Sequence, residues 1–235
     1  YSLARKVGFN NINADLIIGL PKQTIADVEN SVNELVNLKL EHISVYSLIL
    51  EEGTMLEELV RSGKLKLPED KEERNMYWKV KNILEKNGYN HYEISNFAKH
   101  GSESKHNLDC WKQKEYVGFG VAAHSYTNGV RYSNIENIEE YIKNYEEGKE
   151  EDNFVFHEKQ THNMKVKEYM MLGLRKIEGV CIQEFKEKFA ANPIFVFKTE
   201  LEKLVNEELL EVNGDYIKLT NKGLDLANLV WEEFV

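Results

Sequence analysis

Residues 12 to 19, INADLIIG, are largely apolar and alternate onto two faces, with Ala14, Leu16 and Ile18 on one and Asn13, Asp15 and Ile17 on the other. This pattern predicts a buried strand of a parallel sheet. Pro21 ends the strand. Thr24, with Asp27 three residues on, then signs a capping box for a helix whose Val28, Val32, Leu35 and Val36 recur at helical spacing. A second apolar run, His42 to Leu50, completes a βαβ unit, and the right-handed crossover rule makes its two strands parallel. The opening YSLARKVG reads as a helix end and a Gly8 turn leading into a sheet already under way, so earlier strands are expected before Tyr1.

Residues 51 to 70 predict a loop holding a short helix and Pro68. An amphipathic helix follows over 71 to 87, with Met76, Val80, Ile83 and Leu84 on one side and Gly88 closing it. YNHYEISNFA (89 to 98) reads as one further strand. Asn128-Gly129 is a hairpin signal between two more strands, and an acidic helix is expected over 135 to 148. The pattern changes near Glu158. Helices are predicted at 161 to 176, 181 to 190 and 196 to 207, then a hairpin turning at Asn213-Gly214, then a helix from Asn221. Three helices, a hairpin and a helix give a winged-helix-like order, so the expected division is 1–157 and 158–235.

Charge narrows the partners. Thirty Lys and Arg stand against 40 Asp and Glu, a net charge of -10, which disfavours a phosphate backbone as ligand. Residues 158 to 235 carry 11 basic and 14 acidic side chains, and the helix at a DNA-reading position (KTELEKLVNEE) is acid-heavy. Nucleic-acid recognition is therefore excluded as an expectation. No apolar run reaches the roughly 20 residues of a membrane span, and no secretory signal opens the sequence. Cys110 and Cys181, the two cysteines, lie too far apart for a zinc knuckle and form no disulfide framework. A reducing cytoplasm is the simplest inference.

Candidate chemistry is sparse. Asp15 is the odd residue of its strand, because an ionised carboxylate is costly to bury without partners. It is either satisfied by a neighbouring strand or placed to accept hydrogen bonds from ligand hydroxyls. GLPKQT has one glycine and is a strand-to-helix turn rather than a phosphate loop. His106 and Cys110 stand at i and i+4, on one face if the segment is helical, and Trp111 follows. Two such ligands make at most half a metal site, and an exposed histidine beside an inert cysteine is the plainer reading. His124 follows GFGVAA at a strand end, and a satisfied structural histidine is its default.

Taken together, NADLIIGLPKQT, SVYSLILEEGT, YEISNFA, KHNLDCW, EYVGFGVAAHS and YIKLTNKGLDL resemble the radical S-adenosylmethionine enzymes of the oxygen-independent coproporphyrinogen III oxidase group. Within that group, YEISNFA and an HN-x-x-[YC]-W pattern resemble the HemW branch of haem chaperones. The resemblance runs from about residue 8 to the end. It implies an α/β fold: the C-terminal part of a partial (β/α)6 barrel, of which residues 12 to 50 are the last two strands, plus a winged-helix-like C-terminal domain. It implies S-adenosylmethionine contacts at Asp15, Ile49 and His124. It also implies a [4Fe–4S] cluster on a CxxxCxxC loop, which is absent from these residues.

For the chaperone branch the resemblance implies haem or porphyrin as ligand and a haem-acceptor protein as partner. His106 is then the axial-ligand candidate, with Asn107 and Trp111 orienting or packing on the macrocycle. Cys110 replaces the usual tyrosine and offers a competing thiolate. The rival is oxidative decarboxylation of coproporphyrinogen III, and a third reading is an interaction module docking a partner through its acidic end.

Overall fold

A computed structural model describes residues 1 to 235. The chain packs as two compact units, residues 1–104 with 176–178, and residues 105–175 with 179–235. No helix is long and apolar enough to cross a membrane.

The first unit opens with α1 (Ser2–Lys6), then β1 (Asn13–Ile18), α2 (Ile25–Asn37) and β2 (His42–Ser47). β1 and β2 are parallel, with Asp15 opposite Ser44. Thr24 and Asp27 close both halves of the capping box on α2, so two of the helix's orphan N–H groups find partners. α3 (Met55–Arg61), α4 (Asp70–Lys86), β3 (Asn90–Glu93) and β4 (Asn96–Ala98) follow. The sheet order is β1-β2-β4-β3, with β4 antiparallel to both neighbours. Leu16, Ile18, Ile43 and Val45 of the sheet meet Val28 and Val32 of α2 and Met76, Val80 and Leu84 of α4 in one core. Each such side chain contributes about 1.5–3 kcal/mol by leaving water.

Two expectations are corrected here. The segment 89 to 98 is a hairpin, because the chain turns at Ile94-Ser95. The Glu93 carboxylate accepts from the Ser95 N–H at 3.1 Å and from the Asn96 side-chain amide, so it supplies the partners that the turning backbone lacks. β1 is covered on one face only. Leu16 and Ile18 are buried, whereas Asn13, Asp15 and Ile17 are exposed. Asp15 therefore retains water and carries no cost of burial.

The second unit begins with α5 (Lys105–Trp111). β5 (His124–Thr127) and β6 (Val130–Asn134) form the expected hairpin about Asn128-Gly129. After α6 (Ile138–Glu146) and a 3₁₀ turn, β7 (Phe154–Lys159) adds to β6 and completes an antiparallel sheet. Sequence patterning does not predict β7, and the boundary expected at 157/158 lies inside it. α7 (His162–Gly173), β8 (Val180–Cys181), α8 (Ile182–Phe189), α9 (Pro193–Val196) and α10 (Lys198–Asn206) follow. The predicted third helix thus begins earlier and breaks at Phe197. β9 (Leu210–Asn213) and β10 (Tyr216–Leu219) pair about Gly214-Asp215, one residue later than expected, and the last helix divides into α11 (Asn221–Asp225) and α12 (Ala227–Glu232). Tyr169, Phe185, Phe189, Phe197 and Phe234 make a continuous aromatic core, with ring centroids 4.9–6.3 Å apart.

Candidate functional site

In the first unit, strand alternation puts Asn13 and Asp15 on the same open face of β1. The Asn13 side-chain N–H donates to Asp15 Oδ1 at 2.7 Å. Asn13 Oδ1 meets His42 Nδ1 at 2.7 Å and accepts from Ser44 Oγ at 3.2 Å. His42 Nε2 lies 2.7 Å from the Tyr92 hydroxyl, which also accepts from the Ser104 N–H at 3.2 Å. His42 and Ser44 are buried, while Asp15 opens to solvent. Burial lowers the His42 pKa against the pull of Asp15 and Glu103, and burial raises that of Tyr92 to about 12. The pair is therefore a neutral imidazole and a protonated phenol at neutral pH. Ile49 lies two residues beyond β2 with 74% of its surface exposed.

In the second unit the HNLDCW segment is helical, so the i and i+4 spacing does place His106 and Cys110 on one face. Their Nε2 and Sγ atoms are 3.8 Å apart. His106 is exposed and its ring meets the Tyr116 ring edge-on, with centroids 6.5 Å apart. Tyr116 leads into an open loop on which Val117 is 54% and Phe119 90% exposed. Cys110 is half-buried, and burial, then the Asp109 charge, push its thiol pKa up.

Asn107 is half-buried one residue beyond His106, whereas Trp111 faces elsewhere. The Arg175 guanidinium lies 4.5 Å from the Trp111 ring and 4.5 Å from the Trp231 ring, a cation held between two aromatic faces. The Trp111 indole N–H is buried without an acceptor. His124 is exposed at the start of β5 and stacks on His157, with centroids 5.2 Å apart. No group of three or more His, Cys, Asp or Glu is arranged to hold a metal ion.

Residues 160–226 match the HemN C-terminal domain. The "Heme chaperone HemW" of Lactococcus lactis is 40% identical over 98% of this chain and 60% of its own length. The protein of the same name from Bacillus subtilis is 39% identical over 100% of this chain and 62% of its length. The chain is thus similar to proteins named heme chaperone HemW over nearly its whole length, and to the HemN C-terminal domain over residues 160–226. It spans about three fifths of the length of these relatives. A solved structure described as coproporphyrinogen III oxidase (HemN) from Escherichia coli, a radical SAM enzyme, superposes with a TM-score of 0.76. It covers 99% of this chain and 56% of its own at 19% identity, a likeness of fold alone.

The sequence points to Asp15 but not to Asn13, His42 and Tyr92, which link to it through hydrogen bonds. The available signal was the N-x-D spacing on one strand face together with a histidine at the matching position of the next strand. Arg175 had no signal at all, since its tryptophan partners are distant in sequence.

Proposed function

We propose that the protein carrying this chain is a haem chaperone, and that it receives haem at α5 of the second unit with His106 as iron ligand. The observation that carries the reading is an exposed imidazole standing beside Tyr116 and the open apolar loop of Val117 and Phe119. An accessible imidazole suits haem iron, and an apolar rim suits the macrocycle. The identity to proteins named heme chaperone supports the same assignment. Trp111, engaged by Arg175, supports α5 from within the unit. Asn107 remains a candidate for orienting the ligand, and Cys110 is the competing ligand atom.

Asp15, Ile49 and His124 are proposed as S-adenosylmethionine contacts. An exposed carboxylate with one oxygen held fits a ligand bearing hydroxyls or an ammonium group, and the exposed Ile49 side chain fits an apolar ring face. Two isolated cysteines do not fit a [4Fe–4S] cluster, so no step is assigned to one on these residues. S-adenosylmethionine on such a cluster supplies radical chemistry in the rival oxidase reading. The proposal extends to the fold: β1 and β2 as the last strands of a partial (β/α)6 barrel, and 158–235 as a winged-helix-like domain. The fold likeness to HemN and the match over 160–226 support both. A cytoplasmic setting is supported by the two unpaired thiols.

Titrating haemin into the full-length protein tests the reading. His106→Ala is expected to abolish or shift the Soret band, with Cys110→Ser leaving it in place. A spectrum indifferent to His106 and altered by Cys110→Ser overturns the assigned ligand. Sustained conversion of coproporphyrinogen to protoporphyrinogen by cluster-loaded protein overturns the chaperone reading in favour of the oxidase.

A further inference from the structure

We propose that Asn13, His42 and Tyr92 are positioning residues: a one-way hydrogen-bond chain through them sets the orientation of the Asp15 carboxylate for its ligand. The inference rests on the reading of Asp15 as a ligand contact and goes beyond it by assigning what aims that residue.

The direction of each link follows from the chemistry at its two ends. A carboxylate accepts only, so the Asn13 atom facing Asp15 is the amide nitrogen, and the amide oxygen faces His42. The flipped amide would set oxygen against carboxylate and is excluded by repulsion. An amide oxygen accepts only, so His42 carries its proton on Nδ1. A neutral imidazole protonated there has a lone pair on Nε2, and the Tyr92 O–H donates to it. The phenol oxygen in turn accepts from the Ser104 N–H. No link sets donor against donor or acceptor against acceptor. The charge on Asp15 thus fixes the Asn13 amide, the His42 tautomer and the Tyr92 hydroxyl in sequence, and these hold Asp15 in return.

The chain ends on a ligand-facing group rather than inside a core. Asp15 Oδ1 is tied to Asn13, Oδ2 carries no hydrogen bond within the protein, and the residue is exposed. A network that served packing alone would close on its last acceptor. This one runs from the Ser104 N–H through Tyr92 and the buried His42 to Asn13, which also accepts from the buried Ser44; it is secured by the parallel pairing of Asn13 with His42 and Asp15 with Ser44, and it presents one free carboxylate oxygen outward. Preorganisation of this kind raises affinity by removing the cost of ordering the contacting group when the ligand arrives.

The test uses the full-length protein, with S-adenosylmethionine binding measured by titration calorimetry and far-UV circular dichroism checking the fold of every variant. Asp15→Ala is expected to weaken binding at least tenfold, Asn13→Ala about five- to tenfold, and Tyr92→Phe about two- to fivefold. Tyr92→Phe removes only the hydroxyl and keeps the ring, so it covers the case in which a harsher variant fails to fold. In the Asp15→Ala background, Asn13→Ala is expected to add nothing, because there is no carboxylate left to aim; a merely structural asparagine would weaken binding equally in both. Wild-type affinity is expected to fall several-fold as His42 protonates below pH 6.5, with Asp15 and Glu103 the charges facing it, and His42→Gln is expected to flatten that profile. Unchanged binding in Asn13→Ala and Tyr92→Phe alongside weakened Asp15→Ala overturns the chain and leaves the ligand contact standing. Unchanged binding in Asp15→Ala overturns both.

Discussion

Acidification is expected to unfold the first unit through His91. The imidazole is 9% exposed and lies flat on Phe97, with ring centroids 4.4 Å apart and planes 13° from parallel. Nε2 faces the Ile94 carbonyl at 3.3 Å and the Tyr77 hydroxyl at 3.2 Å; a carbonyl only accepts, so Nε2 carries the proton. Nδ1 is buried with no partner. A second proton would have to sit there, away from water and without an acceptor, and this burial lowers the His91 pKa from 6.5 to about 4. The sign follows from linkage. Below pH 6.5 the unfolded chain takes up a proton that the folded chain refuses, so stability is full above 6.5 and drains as pH falls toward 4. At about 1.4 kcal/mol per pH unit, the interval from 6.5 to about 4 corresponds to about 3.5 kcal/mol, a large share of a typical domain's stability. Urea unfolding followed by far-UV circular dichroism at steps from pH 7.5 to 4.5 measures it, with His91→Phe as a non-titrating reference that keeps a ring on Phe97. The wild type is expected to lose most of that stability relative to the variant by pH 4.5. Parallel pH profiles would refute the argument, because the proton would then be finding water or a partner in the folded state.

Two further perturbations probe the second unit. Arg175→Met keeps the bulk between Trp111 and Trp231 but removes the charge, and is expected to cost about 1–3 kcal/mol in guanidinium unfolding followed by tryptophan fluorescence; a loss under 0.3 kcal/mol would show that the stack is packing alone. Gly179→Ala places a Cβ 2.1 Å from the Ile217 carbonyl oxygen at a φ of +82°, where a side chain is already strained by about 1–3 kcal/mol. A lowered thermal midpoint is expected, and an unchanged one would mean that the turn into β8 relaxes freely.

What the sequence shows and what it hides divide by distance along the chain. The Thr24–Asp27 capping box, the apolar spacing on α2 and α4, and the Asn128-Gly129 turn are all settled within a few residues, so pattern suffices for them. The turn at Ile94-Ser95 is local too, yet it has neither glycine nor proline. A buried glutamate does the work those residues signal elsewhere, and a strand pattern ran straight across it. β7 escaped notice for the opposite reason: Phe154, Val155, Phe156 and His157 are all exposed, so no alternation marks a buried face.

The candidate site shows the same division more sharply. Asp15 is a carboxylate in an apolar strand, yet it is exposed, so what distinguishes it is its place at the end of an organised network and not a cost of burial. What gives Asp15 its geometry is the contact of Asn13 with His42, 29 positions on, and of His42 with Tyr92, 50 positions further. Parallel pairing and the β3–β4 hairpin create both contacts, and neither can be inferred from one-dimensional spacing. In the YEISNFA segment, Phe97 stacks in the core on His91 just ahead of the segment, Glu93 completes the turn, and Tyr92 alone reaches His42. Two of these three motif side chains serve the fold, so the segment is mostly architecture, with one hydroxyl leading toward the proposed ligand contact.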